Sequence, residues 1–467
     1  MSVMMRSLPL GDIARAIGAQ LPGGCDPAQQ ITEISSDTRT IVPDSLFVAI
    51  EGERFDGHAY VQAAFDKGAA AAVVARPVER AGGPQLVCQN TKNALIAMGG
   101  LYRDLFESCR FVAVTGSVGK TTTKEMIYAA LRRFGKTLKT EGNQNNEIGM
   151  PATLFRLQDD TRLAVIEMGM SGFGEIAPMT RAVRPEVAVV TNIGVSHLEA
   201  MGTRENILHE KLDIALGLQG PKTLVLCSDN DLLSTVTQVP GADHILRYAI
   251  ADKSADFVAG SIHSDRVSTF FTVHCKEGDF PVQIPCLGQH NVLNALAAIA
   301  VSAALGLSVA TAAAGCADYQ PAGMRQRLVQ CGDITFIEDC YNASPDSMRA
   351  SITLLAQNFP GRRKIAVLAD MLELGEHSQQ MHRDVGQMLC DNGIDCAFLY
   401  GPQMLRCAET ATAGGVEVRH FADKPALTAA LIAALAPGDC VLVKGSRGMK
   451  LEEVLEEIYH TNGGTCR

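Results

Sequence analysis

Short apolar runs alternate with amphipathic stretches along most of this chain, as expected for strands and helices that follow one another. In the middle of the chain the candidate strands are Phe111–Thr115, Leu163–Met168, Val187–Asn192 and Thr223–Cys227. Further on, the same pattern returns at Ile334–Glu338, Lys364–Leu368, Ala397–Tyr400 and Cys440–Lys444. Nearly continuous apolar strands with helices between them predict parallel sheets that are covered on both faces.

The first part of the chain differs, because its strands are short and separated by turns. A length of 467 residues is consistent with about three domains. We therefore predict an α/β protein of three domains. These are a small N-terminal α/β domain over residues 1–85, a central mononucleotide-binding domain with a mostly parallel sheet over 86–318, and a Rossmann-like, doubly wound domain over 319–467.

The most informative motif directly follows the strand Phe111–Thr115 and precedes a predicted helix. Its residues are Thr115, Gly116, Ser117, Val118, Gly119, Lys120, Thr121 and Thr122. The two glycines allow backbone N–H groups to approach phosphate oxygens, and Lys120 adds a positive charge for the β- and γ-phosphates. Thr121 or Thr122 can offer a hydroxyl to Mg²⁺, and the helix directs its positive end at the anion. The motif predicts a nucleoside triphosphate site, although Val114 replaces the first glycine of the common loop.

Polar residues also follow the next two candidate strands. Glu167 closes the strand Leu163–Met168, and a carboxylate at that edge of the sheet is well placed to bind Mg²⁺. His197 follows the third strand, on the edge where ligands bind in such sheets. Lys211 lies on a predicted helix, and its position alone indicates only a solvent-exposed lysine.

Three further segments carry amide or charged groups suited to ligand recognition. Asn143, Asn145 and Asn146 lie in a glycine-flanked loop and offer uncharged donors and acceptors for sugar or peptide groups. Asn291 and Asn294 share one face of a predicted helix, where they could recognise the edge of a base. The segment 338–347 closes the first strand of the third domain, and the arginines of 324–327 precede it.

Composition narrows the classes of partner. The net charge of −10 argues against non-specific binding to nucleic acid or to a membrane surface. The chain has no run of 18 apolar residues and no convincing signal peptide, so we expect a cytoplasmic protein without membrane insertion. The 14 cysteines are scattered without a C-x-x-C pair, which disfavours a zinc site.

Several of these blocks, in this order, resemble the Mur ligases over nearly the whole chain. T-G-S-V-G-K-T-T-T-K-E-M resembles the phosphate loop of that family, and T-E-G-N-Q-N-N-E-I-G and G-Q-H-N-V-L-N-A-L-A-A resemble other central-domain blocks. E-D-C-Y-N-A-S-P-D-S-M, L-A-D-M-L-E-L-G and V-L-V-K-G-S-R-G-M resemble its C-terminal blocks. S-S-D-T-R and F-V-A-I-E-G-E-R-F-D-G-H are similar to its UDP-binding domain.

The resemblance implies roles for individual residues. Lys120 would bind the γ-phosphate, Thr121 and Glu167 would hold Mg²⁺, His197 would help to bind a second Mg²⁺, and Lys211 matches a lysine that is carbamylated in the superfamily. Asn291 and Asn294 would contact adenine, and Arg325 and Asp339 would approach the phosphates and the ribose. Three further groups would bind the other substrates. The residues near uridine diphosphate would be Ser36, Asp37, Thr38, Arg39, Asp56, Gly57 and His58. Asn143, Asn145 and Asn146 would lie near the sugar and peptide of the acceptor, and Tyr341, Asn342 and Ser344 near the incoming dipeptide.

The implied activity is an ATP-dependent amide ligation in the last cytoplasmic step of peptidoglycan precursor synthesis. It would join D-Ala-D-Ala to UDP-N-acetylmuramoyl-tripeptide through an acyl phosphate, with a monomeric enzyme. A sister ligase that adds a single amino acid is one alternative, although no D-N-P-R block occurs. A nucleotide-binding regulator without activity is another, and the presence of Lys120, Glu167, His197 and Lys211 argues against it.

Overall fold

The structure is a computed structural model that describes residues 5–52 and 55–461. Glu53 and Arg54, which belong to a motif quoted above, lie outside the described residues. The first four residues of the first predicted domain and residues 462–467 of the third also lie outside them. The three larger sheets of the described residues, each with helices packed on it, and the matching family models confirm the predicted α/β class with three domains. The three domain bounds inferred from the sequence stay predictions.

The N-terminal part is built on a four-stranded sheet in which all neighbours are parallel, in the order β3-β4-β5-β6. A small antiparallel pair, β1-β2, lies beside it. The elements are β1 (Leu8–Pro9), α1 (Leu10–Ala16), β2 (Gln30–Ile31), β3 (Glu33–Ser35), β4 (Ser45–Val48), α2 (Val61–Asp66), β5 (Ala69–Val74), β6 (Gln85–Val87) and α3 (Thr91–Arg103).

The central part holds a nine-stranded sheet in the order β15-β14-β13-β12-β11-β10-β7-β9-β8. Its strands are β7 (Arg110–Thr115), β8 (Thr137–Lys139), β9 (Leu163–Glu167), β10 (Val187–Val190), β11 (Thr223–Cys227), β12 (His244–Ala249), β13 (Phe257–Ser264), β14 (Thr269–Cys275) and β15 (Gly278–Ile284). Its helices are α4 (Lys120–Leu131), α5 (Gly149–Leu154), α6 (Ile176–Val183), α7 (Leu198–Met201), α8 (Arg204–Leu212), α9 (Asp231–Ser234), α10 (Gln289–Ala304) and α11 (Val309–Gly315). Neighbours from β13 to β8 are parallel, and β14 and β15 extend the sheet antiparallel.

The C-terminal part holds a six-stranded sheet in the order β16-β17-β21-β18-β19-β20, parallel except for the pair β16-β17. Its strands are β16 (Arg327–Cys331), β17 (Ile334–Glu338), β18 (Lys364–Ala369), β19 (Cys396–Tyr400), β20 (Glu417–Phe421) and β21 (Cys440–Lys444). Its helices are α12 (Pro345–Asn358), α13 (Ser378–Asp391), α14 (Met404–Ala413), α15 (Lys424–Ala434) and α16 (Glu452–Thr461). One apolar cluster covers each face of this sheet, as the run of apolar strand residues predicts.

The cores explain why the strands carry so few polar residues. The central strands β7, β9, β10 and β11 are buried along their whole length, apart from Arg110 at the start of β7. One apolar cluster joins the central sheet to one face of the N-terminal sheet. Within the described ranges 5–52 and 55–461, no helix has the length and apolarity needed to span a membrane. Polar side chains therefore concentrate at the ends of strands, where the candidate site lies.

Candidate active site

The loop between β7 and α4 has the backbone shape that phosphate binding needs. Gly116 has φ of +151° and Gly119 has φ of +83°, both in the region that favours glycine. A Cβ atom at Gly116 would lie 1.8 Å from the Thr191 hydroxyl oxygen, so a side chain would collide with the end of the neighbouring strand. The Asn192 side chain accepts a hydrogen bond from Val118 N–H at 2.8 Å and so fixes the loop from the same side.

Lys120 begins α4, and its ammonium bends back over this loop. It donates to the carbonyl oxygens of Gly116 at 2.7 Å and Ser117 at 3.3 Å. Burial lowers the pKa of Lys120, and the nearby Glu167 carboxylate partly opposes that shift. The charge therefore lies directly above the backbone that would surround a phosphate, as the motif predicts.

Glu167, at the end of β9, is the carboxylate of this site and is almost completely buried. Its Oε1 accepts hydrogen bonds from the Thr121 hydroxyl at 3.1 Å and from the Asn145 amide at 2.8 Å. Its Oε2 lies 3.6 Å from the ammonium of Lys124, a fully buried lysine that also donates to the Thr140 carbonyl oxygen at 2.7 Å. Glu167 thus contacts two other predicted residues, Thr121 and Asn145.

Unsatisfied polar atoms surround this contact. Glu167 Oε2, Thr115 Oγ1 and Ser117 Oγ are buried without a hydrogen-bonding partner. Such atoms are costly unless a ligand satisfies them, and oxygen atoms are what Mg²⁺ prefers. Among the described residues no group of three or more His, Cys, Asp or Glu side chains is arranged to hold a metal. A cation here would therefore be held by Glu167, the Thr121 hydroxyl and phosphate oxygens.

His197 and Lys211 approach the loop from the next strand and from α8. His197 has φ of +62°, and its Nδ1 lies 2.8 Å from the Glu373 carboxylate of the C-terminal part. Burial lowers the pKa of the imidazole. Lys211 is only 1% exposed, which corrects the expectation of a solvent-exposed lysine. It faces inward because it lies one helical turn after the buried Ile207.

The Lys211 amine is unusual because it is buried and unpaired. Among the residues that the structure describes, no hydrogen bond or ion pair reaches it. Burial, and after it the positive charge of Lys120, lowers the pKa of Lys211 well below its usual value. The adjacent Glu210 does not pair with it. Instead, the Glu210 carboxylate accepts three backbone N–H groups at the start of α6, at 2.8 to 3.0 Å.

The first turns of α10 form the opposite side of the loop. The Asn294 amide donates to Asn291 Oδ1 at 3.1 Å, and Asn294 Oδ1 accepts from the Thr123 hydroxyl at 2.8 Å. Asn291 in turn donates to Gln326 Oε1 at 3.0 Å. The two asparagines therefore share one face, as predicted, and connect the first turn of α4 to the C-terminal part.

The C-terminal part contributes residues from the ends of β17 and β21. The Arg325 guanidinium lies 3.6 Å from the centroid of the Tyr341 ring. Asp339 is paired with the buried Lys444 at 2.7 Å, and Lys444 also donates to the Asn342 carbonyl oxygen at 3.1 Å. Ser344 caps α12, so its hydroxyl is engaged with Ser347.

One cavity of about 540 Å³ brings most of these residues together. Its lining includes Ser117, Val118, Gly119, Lys120, Thr121, Thr122, Asn145, Asn146, Glu167, His197, Asn291, Asn294, Arg325, Asp339, Tyr341, Asn342 and Ser344. Of the residues predicted in the central part, four are absent from this lining, namely Thr115, Gly116, Asn143 and Lys211. Thr115 and Gly116 belong to the phosphate loop itself.

The predicted UDP-side residues form a separate group in the N-terminal part. The Asp37 carboxylate pairs with Arg39, and Lys67 donates to the Thr38 carbonyl oxygen at 2.7 Å. Ser36 precedes them in the same exposed turn after β3. Asp56 Oδ1 lies 2.6 Å from His58 Nδ1, and a Cβ atom at Gly57 would lie 2.7 Å from the Ile50 backbone. None of these residues lines the cavity.

Several residues of the site were not predicted, and four of them contact predicted residues. Lys124, Gln326, Glu373 and Lys444 all make their contacts with residues far away along the chain or on the opposite part. Lys124 does carry a local signal, since it follows Lys120 by four residues and therefore lies on the same face of α4. The other three have no signal within their own segments.

Three family models match the chain. They describe the "Mur ligase family, catalytic domain" over residues 30–98, the "Mur ligase middle domain" over 114–302 and the "Mur ligase, glutamate ligase domain" over 324–447. The matches cover the N-terminal sheet, most of the central sheet and the C-terminal sheet. All three parts of the chain are therefore similar to one family.

Curated relatives and solved structures agree with this. The UDP-N-acetylmuramoyl-tripeptide--D-alanyl-D-alanine ligase of Bacillus subtilis is 38% identical over 92% of this chain and 93% of its own length. The enzyme of that name from Escherichia coli is 36% identical over 99% of this chain and 100% of its own. A crystal structure of MurF from Acinetobacter baumannii superposes with a TM-score of 0.91 at 31% identity, over 98% of this chain and 99% of that one. MurF from Thermotoga maritima in complex with ADP has a TM-score of 0.83 at 28% identity, over 93% and 98%.

Proposed function

Because the chain belongs to the Mur ligase family, we propose that it is an ATP-dependent ligase that joins D-alanyl-D-alanine to UDP-N-acetylmuramoyl-tripeptide. The observation that carries this proposal is the cavity of about 540 Å³, in which a phosphate loop from the central part faces polar residues of the C-terminal part. A nucleotide and a second reactant would meet there. The relatives that carry this activity in their names match this chain over nearly its whole length.

ATP would lie with its phosphates over residues 116–120 and its base near Asn291 and Asn294. Support comes from the glycine φ values of the loop, from the Lys120 ammonium above it and from the ADP complex of the similar Thermotoga maritima enzyme. Arg325 would add a positive charge from the C-terminal part, since it lies on the cavity wall with Lys120. These cations would offset the charge that gathers when two anions react.

Thr121 and Glu167 would hold Mg²⁺, and His197 would contribute to a second ion. Glu167 Oε2 supports the first assignment, because a buried carboxylate oxygen that accepts no hydrogen bond suits a hard cation. A bound Mg²⁺ supplies charge neutralisation and orientation of the phosphates. The protein's own part is to keep the Thr121 hydroxyl and the Asn145 amide on Glu167 Oε1, which leaves Oε2 available.

Lys211 would act as a carbamate. Its buried ammonium would first lose one proton, and the neutral amine would then add to the carbon of CO₂ and lose a second proton to solvent, so that an anion replaces a cation. Two cations, Lys120 and Lys211, otherwise share this end of the site. A carbamate would remove that repulsion, so the arrangement favours the modified form.

The reaction would proceed in two steps. An oxygen of the acceptor's terminal carboxylate attacks the γ-phosphorus of ATP, and the bond to the bridging oxygen of ADP breaks. The amine of D-Ala-D-Ala then attacks the carbonyl carbon of the acyl phosphate, and phosphate leaves with the loss of a proton. Lys120 would stabilise the charge that develops on the transferred phosphoryl group.

The remaining predicted residues would bind the two other substrates. Asn143, Asn145 and Asn146 would face the sugar and peptide of the acceptor, and the turn 36–39 with Asp56, Gly57 and His58 would face its uridine diphosphate. Tyr341, Asn342 and Ser344 would face the dipeptide. We propose that one chain suffices for catalysis, that the enzyme acts as a monomer in the cytoplasm, and that the domains comprise residues 1–85, 86–318 and 319–467.

The direct test measures phosphate release from ATP and Mg²⁺ with UDP-N-acetylmuramoyl-tripeptide, with D-Ala-D-Ala added or withheld. We expect release only when both substrates are present, and a product that is heavier by the dipeptide. Turnover with a single amino acid in place of the dipeptide would indicate a sister ligase. ATP binding without turnover with any amine would indicate a nucleotide-binding regulator.

A further inference from the structure

The carboxylate of Glu373, in the C-terminal part, contacts His197 of the central part. Glu373 lies in the loop after β18, and its Oε2 is 2.8 Å from His197 Nδ1. Among the described residues, no hydrogen bond or ion pair occupies Nε2, the other ring nitrogen. One nitrogen of the ring is therefore held and the other is free. A metal-binding histidine needs this arrangement, because the bond at one nitrogen sets the tautomer and the direction of the other.

The backbone at both residues is strained in the same way. His197 has φ of +62° and Glu373 has φ of +63°, and neither residue is a glycine. Such conformations cost energy and persist only where the surroundings hold them. The residues that follow His197 and Glu373 also pack together directly, since a Cβ atom at Gly375 would lie 3.4 Å from the side chain of Glu199 in α7. Both loops are thus shaped to meet at this contact.

We propose that Glu373 is a positioning residue for His197, and that it completes the histidine side of the metal site only when the C-terminal part is docked on the central part. This inference rests on the proposed function, because that function assigns His197 to a cation. The Glu373 carboxylate accepts a hydrogen bond from His197 Nδ1–H and fixes the imidazole with Nε2 as the ligand atom. Docking of the two parts and completion of the metal site are then a single event.

The competing explanation is an ordinary surface ion pair. The Glu373 side chain is 65% exposed and that of His197 is 29% exposed. An exposed pair of this kind contributes little to stability, so its loss would change nothing that depends on a metal. A positioning carboxylate behaves differently, since the loss of such partners weakens metal binding about 10- to 100-fold. The two explanations therefore differ in a binding measurement that does not require turnover.

The test measures Mn²⁺ binding to the full-length protein by electron paramagnetic resonance, with a non-hydrolysable ATP analogue present. The variants are Glu373→Ala, Glu373→Gln and the matched control Glu376→Ala, which removes a fully exposed carboxylate three residues away. We expect Glu373→Ala to weaken the weaker Mn²⁺ site about 10- to 100-fold. Glu373→Gln should fall between, because its amide oxygen still accepts from Nδ1–H. Glu376→Ala, the melting temperature and metal-free nucleotide affinity should match the wild type.

Equal Mn²⁺ affinities in Glu373→Ala and Glu376→Ala would overturn the inference, as would tighter binding in Glu373→Ala. A wild-type protein that binds a single Mn²⁺ with the analogue would also overturn it, because no metal would then reach His197. Ligase activity is measured separately. A protein that shows the expected Mn²⁺ pattern but ligates nothing would refute the proposed function and leave the role of Glu373 intact.

Discussion

Replacing Lys444 with methionine tests whether the third sheet depends on a buried charge pair at its ligand-binding edge. Lys444 ends β21, and its side chain is 2% exposed. The ammonium lies 2.7 Å from Asp339 Oδ2, and it also donates to the Asn342 carbonyl oxygen at 3.1 Å. Asp339 Oδ2 accepts a further hydrogen bond from the Ser351 hydroxyl at 2.6 Å. The variant would leave this carboxylate buried with one neutral donor.

The magnitude follows from that geometry. Removing one partner of a buried ion pair costs about 3–5 kcal/mol, because the remaining charge cannot regain its hydration. For a unit of this size each kcal/mol lowers the melting temperature by about 2–4 °C, so we expect a fall of roughly 6–20 °C in the transition of the C-terminal part. Methionine keeps most of the volume of the side chain, so the charge dominates the loss.

Thermal denaturation and native-state hydrogen exchange of the β17 and β21 amides would measure the effect. The matched control is Lys424→Met, which breaks a pair whose partner, Glu453, is 51% exposed, and it should change the melting temperature little because water screens this pair. The double variant Lys444→Met/Asp339→Asn should recover part of the loss, because it removes the uncompensated charge. If Lys444→Met is as mild as Lys424→Met, or if the double variant recovers nothing, the electrostatic reasoning is wrong.

Three further variants test the central part of the site. Gly116→Ala places a methyl group 1.8 Å from the Thr191 hydroxyl oxygen, and such overpacking costs about 1–3 kcal/mol. The affinity for ADP, measured by calorimetry, should therefore fall about tenfold. An unchanged affinity would contradict the loop geometry. Lys211→Ala should lower kcat by about 100-fold. If a carbamate is the working group, an added short carboxylic acid should restore part of the rate, because it supplies a similar anion. Full activity of the variant would exclude the role of Lys211. Glu210→Gln weakens the three hydrogen bonds that this buried carboxylate accepts at the start of α6, so the melting temperature should fall. Glu205→Gln on the exposed face of α8 is the control and should leave the melting temperature unchanged; equal values for the two variants would contradict a structural role of Glu210.

Residues that act through their own segment could be predicted from the sequence. The phosphate loop is one example, because Gly116, Gly119 and Lys120 lie within five residues and their spacing alone determines the backbone shape. The strands were predictable for a similar reason, since full burial on both faces leaves an apolar run that no other element explains. Observed strand ends differ from the predicted ones by at most two residues, as at β10, which ends at Val190 rather than Asn192.

Residues that act through a distant partner could not be predicted in this way. Asp339 and Lys444 are 105 residues apart, and only the parallel order β17-β21 brings them together. His197 and Glu373 follow strands of different sheets, so neither local sequence indicates the other residue as its partner. Lys211 is an intermediate case. Its distance of four residues from the buried Ile207 does indicate the inner face of α8, but a lysine on that face contradicts the usual preference for apolar residues.

The directions of the two larger sheets explain why the site needs both of them. The central strands β7, β9 and β10 are parallel to their neighbours, and the C-terminal strands β17, β21 and β18 run parallel to one another. Each of the six is followed directly by a residue or loop of the site. Two parallel sheets that meet at their carboxyl edges can therefore enclose one cavity between loops that belong to both. An acyl phosphate is exposed to hydrolysis whenever water reaches it, so it should form only when the edges are in contact. Glu373 and Arg325 reach His197 and the vicinity of Lys120 from the C-terminal side, which links that contact to the completion of the phosphate site.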